Sequence, residues 1–176
     1  DDVVKRIPEQ VRYQPEDEGL RFFGNYVQPI LVKKGCMFSN CHSPSMFHDL
    51  RLRTGSQGTF SRIAIDRNYE AARLMLALES ENANDSRLIA KNRFPPDKGG
   101  TGIAHRGGAL FEDFPQNARP ELCEGIEVGP GVDLNQVPAY CVMVAWHRLE
   151  RARALAAGTL DDGAMVLLDQ ICLTPI

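Results

Sequence analysis

Long hydrophobic runs are missing from this sequence. The longest apolar stretch falls far short of the roughly 20 residues that cross a bilayer, so no membrane-spanning helix is expected. A charge of one sign is missing too. Twenty Lys and Arg stand against 23 Asp and Glu, a formal charge of −3, which gives no electrostatic case for nucleic acid or an anionic membrane surface. The opening "DDVVKRIPEQ" is polar and lacks the apolar stretch of a signal peptide. There is no initiator Met, so the chain reads as a matured protein or a piece of a longer one. Internal repeats are absent, as is any disordered-type bias. With 176 residues, 43% hydrophobic and 24% charged, the chain suits one domain, or one domain with a long appendage.

What is present is mainly helical pattern separated by long loops. Residues 1–18 carry many charges and two prolines and read as an extended arm on the surface. From Gly19 the apolar residues Phe22, Phe23, Tyr26, Val27, Ile30 and Leu31 recur at three- and four-residue spacing, which predicts a helix. Lys33 and Lys34 followed by Gly35 form its C-terminal signature, and Pro29 is expected to kink it. A short strand is expected at Leu50–Leu52 and another at "TFSRIAI", with room for a short β-hairpin. "NYEAARLMLALES" predicts a helix with Ala72, Met75 and Leu76 or Leu78 on one face. "NDSRLIAKN" starts with capping residues and predicts a short one. Residues 95–138 are rich in Gly, Pro and Asp, and a loop of that length is usually functional or wrapped around something.

The clearest helix is "PAYCVMVAWHRLERARALAAG", from Pro138 to Ala157 with Gly158 as its stop. Tyr140, Val144, Trp146 or His147, and Ala154 mark its apolar side, and Arg148, Glu150, Arg151 and Arg153 are expected in solvent. A last helix is expected over 161–171. The domain division is then an arm over 1–18, a helical main domain over 19–158, and a C-terminal helix and tail over 159–176.

Five cysteines are many for a cytosolic chain unless they serve chemistry. Two of them lie in "KKGCMFSNCHSP", where Cys36 and Cys41 are separated by four residues and His42 follows at once. Covalent haem attachment needs two thiols near one porphyrin edge and an imidazole able to turn onto the iron. The usual gap is two residues, and four can bridge the same edge if the loop bulges outward. The adjacency of Cys41 and His42 carries the signal. A structural zinc site would want four Cys or His ligands in paired clusters, and only one pair is present. A Cys36–Cys41 disulfide is the other alternative. Among the remaining thiols a Cys123–Cys141 bond is preferred, with Cys172 able to compete for either partner.

Pro29-Ile30-Leu31 before the cysteine pair, Cys41-His42-Ser43-Pro44, Leu50-Arg51-Leu52, Ser86-Arg87-Leu88-Ile89 and a terminal helix with Tyr140 and Trp146 occur here in one order. In that order they resemble the planctomycete-type c-type cytochrome domains, over roughly residues 20–157. The resemblance implies a cytochrome c-like helical fold carrying one haem c bound through Cys36 and Cys41, with His42 as proximal iron ligand. In that family a methionine before two prolines is the usual second ligand. Here Phe94-Pro95-Pro96 stands at that place, and phenylalanine cannot ligate iron.

The second ligand must come from elsewhere or the position is open. His105, in "GGTGIAHRGGALF", is the preferred candidate, because glycines on both sides allow the loop to pass close to a large flat ligand. Met46, His48, Met143 and His147 are the alternatives, with Met37 and Met75 further out. Arg51, Arg53 and Arg106 are candidates for the propionates. The expected function is electron transfer without substrate chemistry, between redox partner proteins or other domains of a multi-haem complex, in the periplasm or another extracytoplasmic space. A haem enzyme or a gas or peroxide sensor with an open sixth position is the second reading. A non-haem, disulfide-bearing interaction domain of a larger secreted protein is the third.

Overall fold

The computed structural model describes residues 13–37, 41–47, 49–55, 59–111 and 113–160. The molecule is mainly helical, and among these residues no sheet forms. The first helical segment runs as α1 (Glu18–Phe22), a π turn (Phe23–Val27) and α2 (Gln28–Lys33). Asp17 caps α1 by accepting from the Leu20 backbone N–H at 2.7 Å. The π turn lies just ahead of Pro29, whose ring would otherwise press on the carbonyl four residues back. Widening the turn by one residue relieves that conflict. The Gln28 N–H reaches back to the Phe23 carbonyl, and the Asn25 side chain donates to the Arg21 carbonyl at 2.8 Å. So the proline is accommodated by a π turn rather than by a break.

Asn25 also exchanges hydrogen bonds with both backbone groups of Tyr13, at 3.1 and 2.7 Å. Tyr13 donates its hydroxyl to Asp66 at 2.5 Å. These bonds pin the described end of the arm to the helices; residues 1–12 lie outside the described residues.

The segment "TFSRIAI" is not a strand. Ser61 accepts from the Ala64 N–H at 3.2 Å and starts α3 (Arg62–Arg73). Ile63 and Ile65 alternate as in a strand, yet Ile63 is 69% exposed and Ile65 is buried. The buried set is Ala64, Ile65, Asn68 and Ala72, a helical period. The helix thus begins before Asn68 and ends before Met75, and Met75 and Leu76 continue in turns.

Leu50–Leu52, expected as a short strand, does not form one: the chain bends at Leu50, is irregular beyond it and, among the described residues, pairs with no strand. Its neighbour Arg53 is held by Asn68, which accepts from the Arg53 N–H at 2.6 Å and donates to its carbonyl at 2.9 Å. One buried side-chain amide does locally what a neighbouring strand would do.

After a 3₁₀ turn at Ala83–Asp85 comes the short α4 (Arg87–Ala90). Ser86 leaves α4 without a side-chain cap, because its hydroxyl accepts from the Ala77 N–H at 3.1 Å. The long helix α5 spans Ala139–Ala156, with Gly158 at φ 65° just beyond it. Asp113 caps it from a distance, accepting from the Ala139 N–H at 3.0 Å. The disulfide Cys123–Cys141 ties the 3₁₀ turn Pro120–Cys123 to its first turn, as preferred from the sequence. Cys172 and the helix expected over 161–171 lie outside the described residues.

The core sits where α1, the π turn, α3 and α5 meet. Phe23 packs its ring against Trp146 and Tyr69, at centroid distances of 5.3 and 5.7 Å. Glu150, expected in solvent, is 0% exposed. It accepts from Tyr69 at 2.8 Å, Arg73 at 2.6 Å and Arg153 at 3.2 Å. Four-residue spacing puts it below Trp146 on the apolar face, and three donors make its burial tolerable. Gly19 lets the helices cross there, since a Cβ would overlap both the Glu150 carboxylate and the Arg153 guanidinium.

Candidate functional site

Cys36 is positioned by the end of α2. Gly35 takes φ 75°, its N–H reaches the Val32 carbonyl at 3.0 Å, and the Cys36 N–H reaches the Leu31 carbonyl at 2.9 Å. That pair of bonds is the Schellman motif, which terminates the helix and turns the next residue back onto it. Cys36 is 8% exposed. Burial pushes its thiol up to about 11; Cys41 adds to the shift, against the Cys36 backbone hydrogen bond and Lys34. Cys41 is half-buried, and the two thiols are not joined to each other. The Cys36–Cys41 disulfide considered from sequence is therefore not formed. Phe38, Ser39 and Asn40, the middle of the loop, lie outside the described residues.

His42 is held at both backbone groups and at the ring. Its N–H donates to the Cys36 carbonyl at 3.1 Å, and its carbonyl accepts from the Leu52 N–H at 2.6 Å. Its Nδ1 lies 2.9 Å from the Leu50 carbonyl. A carbonyl only accepts, so the proton sits on Nδ1 and the Nε2 lone pair is the one suited to a metal. The buried Leu50 and Leu52 fix the depth of this segment, and with it the orientation of the imidazole.

His105 arrives on the long loop that follows α4. Hydrogen bonds from Gly102 to the Phe94 carbonyl, from Ile103 to Ala90 and from Phe111 to Asn92 fold that loop back, at 2.8, 2.9 and 3.0 Å. Gly102 permits the close approach, since a Cβ would come within 2.5 Å of the Arg93 carbonyl. A turn closes over the histidine, with the Gly108 N–H 2.9 Å from the His105 carbonyl. The ring lies over Gly107, where a Cβ would stand 2.8 Å from its Cε1. Its Nδ1 faces the Gly108 carbonyl at 3.4 Å, the same choice of nitrogen as in His42.

The two imidazoles come together across the chain. Their centroids are 6.0 Å apart and their planes differ by 27°. Two metal–nitrogen bonds of about 2.0–2.1 Å, with the short distance from each nitrogen to its ring centre, add to about 6 Å. The two rings lie stacked at a spacing that admits one metal ion between them. With two thiols nearby that are not joined to each other, the residues present could hold a haem, with two sulfurs at its edge and two nitrogens for the iron. A closed zinc site fits less well. Among the described residues no group of three or more His, Cys, Asp or Glu side chains is assembled to hold an ion.

Three of the alternative ligands sit in the core. His147 is fully buried in α5 with its Nε2 3.0 Å from the Ala77 carbonyl. Burial holds its pKa below the usual imidazole value, with nearby Arg151 and Arg148 adding to the shift and the Ala77 carbonyl and Asp85 opposing it. Met143 and Met37 are core residues at 1% and 6% exposure. Met46 and Met75 are half-buried, and His48 lies outside the described residues. Arg51, Arg53 and Arg106 are exposed.

Sequence reasoning missed the carbonyls of Leu50 and Gly108, which orient the rings and leave no trace in residue type. It also missed Asn68, for which a polar residue at a buried helical position was the available signal. Comparison with protein-family models, with curated proteins and with solved structures finds no match. Among the described residues no helix is long and apolar enough to cross a membrane.

Proposed function

We propose that the chain is a c-type cytochrome domain of the planctomycete kind that transfers single electrons through one covalently bound haem. Cys36 and Cys41 hold the ring edge by thioether bonds, His42 is the proximal ligand and His105 the distal one. The observation that carries the reading is the facing pair of imidazoles, each turned with Nδ1 on a backbone carbonyl. The group supplies a one-electron iron couple. The chain's own residues orient the ligands, keep water from the iron and set its potential. Two imidazoles favour ferric iron more than an imidazole and a thioether do, so the potential lies below that of a His/Met site.

Were His42 and His105 both to hold the iron, no position on it would be left for a substrate, which favours a carrier over an enzyme or gas sensor. The partners are other redox proteins, or further haem domains of a larger assembly, docking through small short-lived interfaces. The Cys123–Cys141 bond suits an oxidising compartment, in keeping with a periplasmic or other extracytoplasmic location.

Absorption spectra of oxidised and reduced protein, matured in a host able to attach haem, test the proposal. A low-spin, six-coordinate ferric spectrum and a mass one haem above the polypeptide are expected. His105→Ala is expected to give a high-spin form that binds cyanide rapidly. A colourless product ends the haem reading, and an unchanged low-spin spectrum in H105A removes His105 from the iron.

A further inference from the structure

Arg93, just after α4 at the start of the long loop, has no part in the haem reading. It is 6% exposed, and among the described residues no carboxylate pairs with it. Its Nη2 donates to the Thr101 hydroxyl at 2.5 Å and to the Ala118 carbonyl at 2.8 Å. Its Nε has no hydrogen-bond partner. Desolvation holds the guanidinium below its ordinary pKa, opposed only by Tyr140. A buried cation with no counter-charge is a costly arrangement, and such groups are normally paired.

This guanidinium lines a cleft of about 650 Å³ together with Arg119, Asn117, Thr101, Asn82 and Asp85. Asp85 does not neutralise it. One of its carboxylate oxygens accepts from Ser80 at 2.5 Å and the other from Asn82 at 3.3 Å. Arg119 and Asn117 are exposed at the cleft, so two guanidinium groups and an amide border the same space. None of Cys36, Cys41, His42 or His105 lines it, which separates it from the facing imidazoles.

We infer that this cleft binds a small oxoanion or carboxylate, gripped by Arg93 from within and by Arg119 from the rim. A guanidinium suits the oxygens of an acid group through charge-assisted hydrogen bonds. The inference stands on the cleft alone and does not require the haem.

The test is titration of the full chain, as purified, with inorganic phosphate and separately with acetate. The ¹H–¹⁵N signal of the Arg93 Nε–H is followed by NMR, with heat of binding as a second readout. A saturable movement of that signal is expected. Arg119→Gln, at an exposed position, is expected to weaken binding roughly tenfold, the value of losing one charged hydrogen bond. Arg93→Met should abolish the heat while removing an uncompensated buried charge. Absence of saturable change with both anions overturns the inference, as does undiminished binding in R119Q. Should R93M not fold, the R119Q result decides by itself.

Discussion

The two ends of this molecule are built on different plans. Where α1 crosses α5, the charged groups meet partners within the fold: Glu150 takes three donors, and Arg153 also reaches Asp17 at 2.5 Å. Two helices and the cap of a third supply these side chains, and Gly19 allows them to meet. The opposite plan governs Cys36, Cys41, His42 and His105. Those residues sit on a helix end and on loops, and backbone carbonyls fix how the rings stand. The crossing is completed by the chain itself, whereas the paired imidazoles are held in a spacing that a further group would complete. Stability and function are thereby assigned to separate parts of the fold, so substitutions in one should leave the other's readout largely intact.

That division can be broken most forcefully at Glu150. Glu150→Ala leaves Arg73 and Arg153 without their shared partner and is expected to cost about 3 kcal/mol, the low end for a broken buried pair because both arginines reach solvent. Urea unfolding measures it, and the visible spectrum of the folded fraction should not move. Replacing Cys123 and Cys141 together by Ser comes next. The closed loop spans 18 residues, which in the chain-entropy model is worth about 3 kcal/mol less any strain relieved. The same unfolding experiment, run with and without reductant on the native chain, gives an independent value.

Gly107→Ala sharpens the comparison from the other side. Its methyl group would crowd the His105 ring, so ligation is expected to shift while stability changes by less than about 1 kcal/mol. Equal damage to both readouts would show that the loop carries the fold as well. The smallest effect is a pH dependence from His147. Its folded pKa is depressed by burial, so the stability it permits is fully present above the unfolded imidazole value of about 6.5 and is lost as pH falls through the folded value. Unfolding free energies measured from pH 8 to pH 5 should decline through that window, and less steeply in His147→Gln. Asp17 acts at lower pH. Burial opposes its ionisation, but the Leu20 N–H and Arg153 outweigh it and hold its pKa below the usual carboxylate range. Its contribution is present above about pH 4 and lost as pH falls through the folded value.

What could be read from the sequence was what local chemistry determines. Lys33, Lys34 and Gly35 announced the end of α2 because a Schellman turn needs only its own residues. Pro138 and Gly158 bounded α5 to within a residue for the same reason. The region 59–65 misled because Ile63 and Ile65, two residues apart, match a strand's period, while the buried helical set Ala64, Ile65, Asn68 and Ala72 extends beyond that stretch. Glu150 misled because a carboxylate on a helix belongs in water until another helix, here α3, brings it donors. At the candidate site, glycines around His105 signalled a close backbone, and the structure puts His105 opposite His42. The carbonyls behind the two rings were not legible, because every residue has one.

The depth of Cys36 has a consequence for how the molecule is made. A sulfur so enclosed, and so reluctant to ionise, is a poor nucleophile in the finished protein. On the haem reading its bond to the porphyrin must therefore form while the chain is still open, before the end of the first helical segment settles. Maturation then precedes closure, and closure seals the linkage against later chemistry.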